Sequence, residues 1–233
     1  MPHRLATFTA AIATAAAIVG VALVVSNPAP QRIDVEPVAI PTTSPGDGSW
    51  AAAAAALPVT EAAASAPAYD RASFGENGAD VDGNGCTQRD DVLARDLVDA
   101  VRTDCVVAGG TLHDPYTGRT IAYSRDRAAA DGSDAGIRID HVVGLRAAHD
   151  GGAWRWSPER RAAFANGLEN LLAVDAEADR ARSGRGPARW LPADHDLACE
   201  YAMRYTWIAT AWELAVPRAD RDALVTTLSD CRR

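Results

Sequence analysis

The sequence contains no lysine, so all 23 of its basic side chains are arginines. Acidic residues outnumber them at 31, and the formal net charge is −8. A chain with this balance does not coat nucleic acid through bulk charge, although one local basic groove remains compatible with it. There is no C-x-x-C pair and no histidine at a matching short spacing, which argues against a zinc site built on cysteines. No internal repeat is found, and a length of 233 residues suits one domain with extensions.

The N-terminus has the pattern of an export segment. His3 and Arg4 precede an uncharged, largely apolar run of 20 residues from Ala6 to Val25. Such a run follows the basic start of a signal peptide, and its length would also span a bilayer. We therefore predict that residues 1–25 are either a cleaved signal peptide or an N-terminal membrane anchor. Both alternatives place the remainder of the chain outside the cytoplasm, secreted or anchored.

A linker is predicted to separate this segment from a folded domain. Residues 26–48 are rich in proline and small side chains, which is typical of an extended connection. Beyond it, residues 49–233 are expected to form one domain.

Four cysteines form an even set, as expected for an exported chain with two disulfides. Three connectivities are possible. Helical patterns that start at Cys199 and end near Cys231 could form an antiparallel hairpin, which would join these two cysteines and leave Cys86 to pair with Cys105. A helix running the whole way between the latter two would hold them about 25 Å apart. We therefore expect that helix to end early, near Asp96–Leu97.

The domain is predicted to mix strands and helices. Alternating and apolar segments indicate strands, while Ser157, Pro158 and Asp175 are typical of helix starts. In order, the sequence predicts a helix from Thr87, a short hairpin over 105–123, a strand at 137–143, a helix from Ser157, a strand at 171–174, a helix over 175–183, and two helices at about 195–214 and 217–228.

Five polar residues carry the chemistry. Asp140 and His141 stand at the end of one predicted strand, Asn170 opens the next, and Asp179 and Arg182 share one face of the following helix. Two carboxylates suit a hard divalent cation. A neutral histidine beside that cation can take a proton from water, and an arginine can neutralise charge on a phosphate. Together these groups are the parts of metal-assisted phosphodiester hydrolysis.

Several short stretches also carry a family resemblance, which covers roughly residues 50–231. They are Asn84–Arg89 with Val92–Asp96, Asp114–Gly118, Ile139–Val143, Phe164–Asn166, Asn170–Val174 and Trp190–Pro192. In this order and spacing, the chain resembles the exported HNH endonuclease family, whose domain is related to the C-terminal domain of GmrSD-type restriction enzymes. The resemblance implies an α+β fold with a ββα-metal (HNH) core at about 137–190, stapled by two disulfides. Added helices, a short β-hairpin and a C-terminal helical hairpin at about 195–231 would complete the domain.

The same resemblance implies a role for each site residue. Asp140 would ligate one divalent cation, Mg²⁺ or Mn²⁺, and His141 would activate water as the general base. Asn170 would match the central asparagine that orients the catalytic loop. Asp179 stands where the family usually has asparagine and can still ligate the metal.

Two arginines would bind phosphate. Arg182 stands where the family usually has lysine, and Arg185 matches a second basic position. The implied substrate is nucleic acid, with DNA favoured over RNA. No obligate protein partner is inferred, and any membrane contact would come only through the N-terminal segment.

Departures from the family pattern keep a rival hypothesis open. Gly144 replaces a usual proline, Ala147 and His149 replace glutamate and tryptophan, and Gly184 replaces aspartate. The rival is a catalytically decayed exported binding module of the same fold. Asp80–Asp91 begins as D-x-D-x-N-G, the start of a calcium loop, although its twelfth position is aspartate instead of glutamate. Calcium is therefore a possible ligand at this separate loop.

Overall fold

The computed structural model describes residues 49–60, 66–80, 82–126 and 136–231. The predicted export segment 1–25 and the linker 26–48 lie outside this part of the chain, and they stay predictions. None of the described helices is long and apolar enough to cross a membrane. The fold is mixed α+β with two small sheets, in agreement with the predicted class.

Helices and strands alternate along the described chain. The helices are α1 Trp50–Ala55, α2 Gln88–Asp96, α3 Leu145–Asp150, α4 Pro158–Asn166, α5 Ala176–Arg182, α6 His195–Ala211 and α7 Arg218–Asp230. The strands are β1 Leu97–Thr103, β2 Val106–His113, β3 Thr120–Ser124, β4 Ile137–His141 and β5 Leu171–Asp175. Short 3₁₀ turns lie at Arg71–Phe74, Ala153–Arg155 and Leu168–Asn170.

The predicted hairpin is one half of a larger sheet. Strands β2 and β3 pair antiparallel around the turn at Asp114–Gly118, as expected, but β1 joins the other edge of β2 and makes a three-stranded sheet. Strand β1 has an irregular register between Val98 and Val101, and Asp99 adopts a φ of 53°. This bulge breaks the alternation of buried and exposed side chains, which is the signal that identifies a strand in a sequence.

Helix α2 ends where the disulfide argument places its end, at Asp96. The Thr87 hydroxyl caps its start by accepting a hydrogen bond from the amide of Asp90. At its last turn, the buried Arg95 side chain pairs with Asp96 and donates to the carbonyl of Leu171 at 2.6 Å. The Asp96 carboxylate accepts from the amide of Ala173 at 2.8 Å. The end of helix α2 therefore provides hydrogen-bond partners for the backbone of β5 on the edge that faces away from β4.

Strands β4 and β5 pair antiparallel, and α5 follows β5 directly. All five residues of β5 are buried, because this small sheet is covered on both faces. Leu171 and Ala173 pack into the core beneath the three-stranded sheet, while Leu172 and Val174 pack into a second core that contains α6 and α7. The carboxylate of Asp175 caps α5 and accepts from the amides of Glu177 and Ala178.

Both predicted disulfides are present. Cys86 bonds to Cys105, which ties the start of α2 to the β1–β2 turn. Cys199 bonds to Cys231, which closes the antiparallel pair α6 and α7. No cysteine within the described ranges is free.

Replacing Arg95 with alanine is expected to lower the free energy of unfolding by about 3–5 kcal/mol, because the change leaves the Asp96 carboxylate, only 13% exposed, without its cationic partner. Urea unfolding followed by circular dichroism would measure the loss. The control is Arg218→Ala, which removes an exposed arginine and should change stability by less than about 0.5 kcal/mol. Equal stabilities of the two variants would contradict this account of α2.

Candidate functional site

The end of β4 is held in place by Asn170, which is fully buried. Its side-chain oxygen accepts from the amide of Val143 at 2.9 Å, and its side-chain nitrogen donates to the Val143 carbonyl at 3.1 Å. Its backbone carbonyl accepts from the amide of Val142 at 2.9 Å. These three bonds fix the path of the chain immediately after Asp140 and His141. Asn170 therefore positions this segment, and its predicted part in catalysis stays a prediction.

The Asp140 carboxylate is 13% exposed and receives two hydrogen bonds on the same oxygen. The Tyr116 hydroxyl donates to Oδ2 at 2.9 Å, and Nη1 of Arg182 donates to the same atom. Within the described residues, no hydrogen bond reaches Oδ1. One carboxylate oxygen is therefore used to orient the side chain, and the other remains available to a ligand.

Arg182 lies beneath Asp140 and is only 1% exposed. Besides Asp140, its guanidinium donates to the carbonyls of His141 at 2.8 Å and Val142 at 2.7 Å. It lies 5.9 Å from the ring centre of Trp190 and 5.8 Å from that of Tyr201. These aromatic rings and carbonyl groups stabilise the positive charge of the buried Arg182 guanidinium.

Tyr116 also holds the Asp140 carboxylate in place, and it comes from the three-stranded sheet. It belongs to the turn between β2 and β3, where the buried Asp114 carboxylate accepts from the amides of Thr117 and Asp175, both at 2.9 Å. The Asp114 side chain thus ties this turn to the start of α5. Burial raises the pKa of Tyr116 well above its ordinary value, so the phenol stays protonated and keeps donating.

In His141, the ring nitrogen Nε2 forms a hydrogen bond and the other nitrogen, Nδ1, does not. Nε2 lies 2.7 Å from the carbonyl oxygen of Ala165, and since a carbonyl only accepts, Nε2 carries the hydrogen. Nδ1 then has the lone pair. Burial lowers the pKa of His141, which outweighs the opposing effects of the Ala165 carbonyl and the Asp140 charge. The ring is therefore neutral at neutral pH and can accept a proton.

Asp179 lies on α5 with a side chain that is 19% exposed. Its Oδ2 pairs with Nη1 of Arg138, on β4, at 3.3 Å. Burial raises the pKa of Asp179, and the negative charge of Asp140 raises it further. The two carboxylates are therefore close enough to repel each other, which is the situation that a bound cation relieves.

A groove of about 580 Å³ brings the predicted groups together. Asp140, His141 and Asp179 all line it. The rest of its lining comes from the loop before α2, the start of α2, the end of α4 and the central strands, and consists of Asn77, Gly78, Thr87, Gln88, Arg89, Arg138, Ile139, Ala165, Asn166 and Leu171. No group of three or more His, Cys, Asp or Glu side chains is arranged to hold a metal in the part of the chain that the structure describes.

The other predicted site residues lie around the groove and do not line it. Asn170 and Arg182 are buried behind Asp140 and His141. Arg185 is exposed, and its guanidinium donates to the carbonyl of Arg182 at 3.0 Å and to that of Ala181 at the end of α5. Both arginines therefore donate to groups of the protein, and their predicted binding of phosphate stays a prediction.

Sequence reasoning missed Tyr116, Tyr201 and Arg138 as parts of this site. Tyr116 lies in the Asp114–Gly118 stretch, which contributes to the family resemblance without a role for the tyrosine. Tyr116 is a buried tyrosine two residues after Asp114, whose carboxylate accepts from the amide of Asp175. This pattern can be recognised as part of a site only when the neighbouring strands are known. Trp190 belongs to a stretch that resembles the family, but no role is predicted for it from the sequence.

The candidate calcium loop is closed by hydrogen bonds of its own. The Asp80 carboxylate accepts from the amides of Gly83 at 2.7 Å and Gly85 at 2.8 Å. The side-chain amide of Asn84 donates to Asp82 at 3.1 Å and to Asp91 at 3.2 Å. Calcium binding at this loop stays a prediction.

The fold and groove define a disulfide-stapled α+β domain with an Asp-His pair at a strand end. Residues 87–227 match the family described as "GmrSD restriction endonucleases, C-terminal domain", and the chain belongs to this family. A relative from Arthroderma benhamiae, named "Uncharacterized secreted protein", is 32% identical over 149 residues, which cover 63% of this chain and 68% of the relative. No solved structure matches the chain. Family membership points to nuclease activity in general.

The buried phenols of this site are expected to resist ionisation. Burial raises the pKa values of Tyr116, Tyr201 and Tyr205, so the native protein keeps protons that the unfolded chain releases above about pH 10. Their contribution to the unfolding free energy is complete below that pH and is lost as pH rises through the raised values. Tyrosinate absorbance at about pH 11 should therefore count fewer ionised phenols in the native protein than in guanidinium.

The variant Tyr116→Phe provides the control for this titration. It should leave the native absorbance change at that pH unaltered and lower the change in guanidinium by one of the five tyrosines. A smaller native signal in Tyr116→Phe would show that Tyr116 ionises in the folded protein and would refute its assignment as a permanent donor.

Proposed function

We propose that this protein is an exported, metal-dependent HNH endonuclease that hydrolyses phosphodiester bonds in nucleic acid. The observation that carries the proposal is one groove lined by Asp140, His141 and Asp179, with a lone pair on Nδ1 of the histidine. In this proposal β4, β5 and α5 are the ββα-metal core. Because the family is named for restriction endonucleases, DNA is favoured over RNA as the substrate.

His141 is the general base in this proposal. A water molecule attacks phosphorus and gives one proton to Nδ1, while the bond between phosphorus and the leaving oxygen breaks and that oxygen takes up a proton from a solvent water molecule. The Nε2 bond to Ala165 holds the ring in the tautomer that this step needs. A lowered pKa keeps the base unprotonated at neutral pH.

Asp140 and Asp179 are the proposed ligands of one divalent cation. Mg²⁺ and Mn²⁺ prefer oxygen donors, and Mg²⁺ is commonly held by one or two carboxylates together with water and substrate phosphate. Two mutually repelling carboxylates in one groove fit that preference. When bound, such a cation would stabilise negative charge on the phosphate and on the leaving oxygen. Without it, the two carboxylates would repel the substrate.

The remaining predicted residues support this centre in two ways. Asn170 and Arg182 orient the segment that carries Asp140 and His141, through the bonds described above. Arg182 and Arg185 were predicted from the sequence to bind phosphate, and in this proposal they act mainly by positioning the groups around Asp140 and the end of α5.

Export is the proposed location. Two disulfides form readily in an oxidising compartment, and the relative in Arthroderma benhamiae is named a secreted protein. The chain would act outside the cytoplasm, released or held by its N-terminal segment.

The first test is plasmid cleavage by the purified protein with its disulfides intact, in Mg²⁺, Mn²⁺ or EDTA. We expect cutting with either metal, none in EDTA, and a loss of about 10²–10⁴-fold in rate for His141→Ala because the general base is removed. The matched control is His195→Ala, which alters an exposed histidine outside the groove and should keep full activity. If neither DNA nor RNA is cut in any metal, the rival of a catalytically decayed binding module is favoured.

A second test separates the metal ligand from the base. Asp179→Asn should raise the Mg²⁺ concentration needed for half-maximal cleavage by about tenfold or more, because a neutral amide binds a hard cation less well than a carboxylate. His141→Ala should lower the rate at saturating Mg²⁺ while leaving that half-maximal concentration nearly unchanged. An unaltered Mg²⁺ requirement in Asp179→Asn would remove Asp179 from the ligand set.

A further inference from the structure

A groove that takes a phosphodiester needs cationic groups that are free to meet it. Arg182 and Arg185, the two arginines predicted for this task, donate to Asp140 and to backbone carbonyls. Arg138 lines the groove but pairs with Asp179. These three arginines therefore already form hydrogen bonds or ion pairs with groups of the protein.

Arg89 is different from these three. It lines the same groove as Asp140 and His141, and its side chain is partly buried. Among the residues that the structure describes, none forms a hydrogen bond, an ion pair or a ring contact with its guanidinium. The five N–H donors of this groove-lining residue are therefore without a partner from those residues.

The position of Arg89 in its helix is unfavourable for the helix itself. It is the second residue of α2, where the helix dipole favours acidic side chains such as the neighbouring Asp90 and Asp91. Capping and packing of α2 come from Thr87, Val92 and Leu93 and not from Arg89. Helix stability therefore gives no reason for an arginine here, whereas an incoming anion does.

We propose that Arg89 binds a phosphate of the nucleic-acid backbone next to the scissile bond. This inference rests on the proposed nuclease function and adds a substrate-binding residue to it. The guanidinium would donate in parallel to two phosphate oxygens, the geometry that favours arginine over lysine at such contacts. Arg89 would hold the strand in register with His141 and take no part in proton transfer.

The test measures binding without cleavage, in the His141→Ala background with Mg²⁺ and a fluorescent DNA duplex. Adding Arg89→Gln should weaken binding about tenfold, as expected for the loss of a charged hydrogen-bonded contact. The slope of log affinity against log salt should fall by about one unit, because one phosphate contact is lost. Arg89→Lys should keep most of the salt slope while recovering only part of the affinity.

The matched control is Arg218→Gln, which removes an exposed arginine from the first turn of α7, away from the groove. It changes the net charge equally and should leave affinity and salt slope nearly unchanged. Both glutamine variants should melt at or above the temperature of their parent, which excludes misfolding as the cause. In cleavage assays without the His141 change, Arg89→Gln should raise KM more than it lowers kcat.

Two outcomes would overturn the inference, and they differ in what else they remove. If the parent binds and the wild type cuts DNA, but Arg89→Gln behaves like Arg218→Gln, the role of Arg89 is wrong and the nuclease function stands. If the parent does not bind and the wild type does not cut, the nuclease function itself fails, and the role of Arg89 fails with it.

Discussion

The site depends on the buried contact between Arg182 and Asp140. A guanidinium that is 1% exposed needs partners, and its terminal nitrogens donate to the Asp140 carboxylate and to the carbonyls of His141 and Val142. Because Arg182 is the last residue of α5 and Asp140 is the last but one of β4, the contact fixes the helix against the strand. Tyr116 then holds the same carboxylate oxygen from the neighbouring turn. The direction of the other oxygen follows from these constraints.

This support separates the residues that hold the groove from those available to a substrate. Asn170, Tyr116 and Arg182 are buried and hydrogen-bond to the protein, so these polar groups orient their neighbours. The Nε of Arg182 has no hydrogen-bond partner among the described residues. His141 lines the groove and retains a lone pair on Nδ1. Burial and the Asp140 charge raise the pKa of Asp179, and the positive charge of Arg182 opposes that rise only in part. The proposed hydrolysis needs this division between rigid support and accessible groups.

Much of the fold could be predicted from the sequence because its signals are local. Thr87, Ser157 and Asp175 cap helices at the expected positions, and α2 ends at Asp96 as the disulfide argument requires. Strand β1 could not be predicted in this way. Its bulge removes the alternating pattern, and its pairing with β2 depends on the chain reversing direction at the turn before Val106.

The sequence by itself determined which residues could carry the proposed chemistry, namely the Asp140–His141 pair and the i, i+3 spacing of Asp179 and Arg182, and it predicted two disulfides from the four cysteines. Those features are encoded in short stretches, where residue type and helical spacing suffice. Only the tertiary structure decided how the cations are used. Arg182 and Arg185 resemble phosphate ligands in the sequence. In the structure the buried Arg182 donates to Asp140 and to two carbonyls, and the exposed Arg185 donates to two carbonyls. Arg89, by contrast, lines the groove from a helix distant in the sequence. Whether an arginine is paired within the protein depends on the groups that surround it in space, and those groups come from segments far apart in the chain.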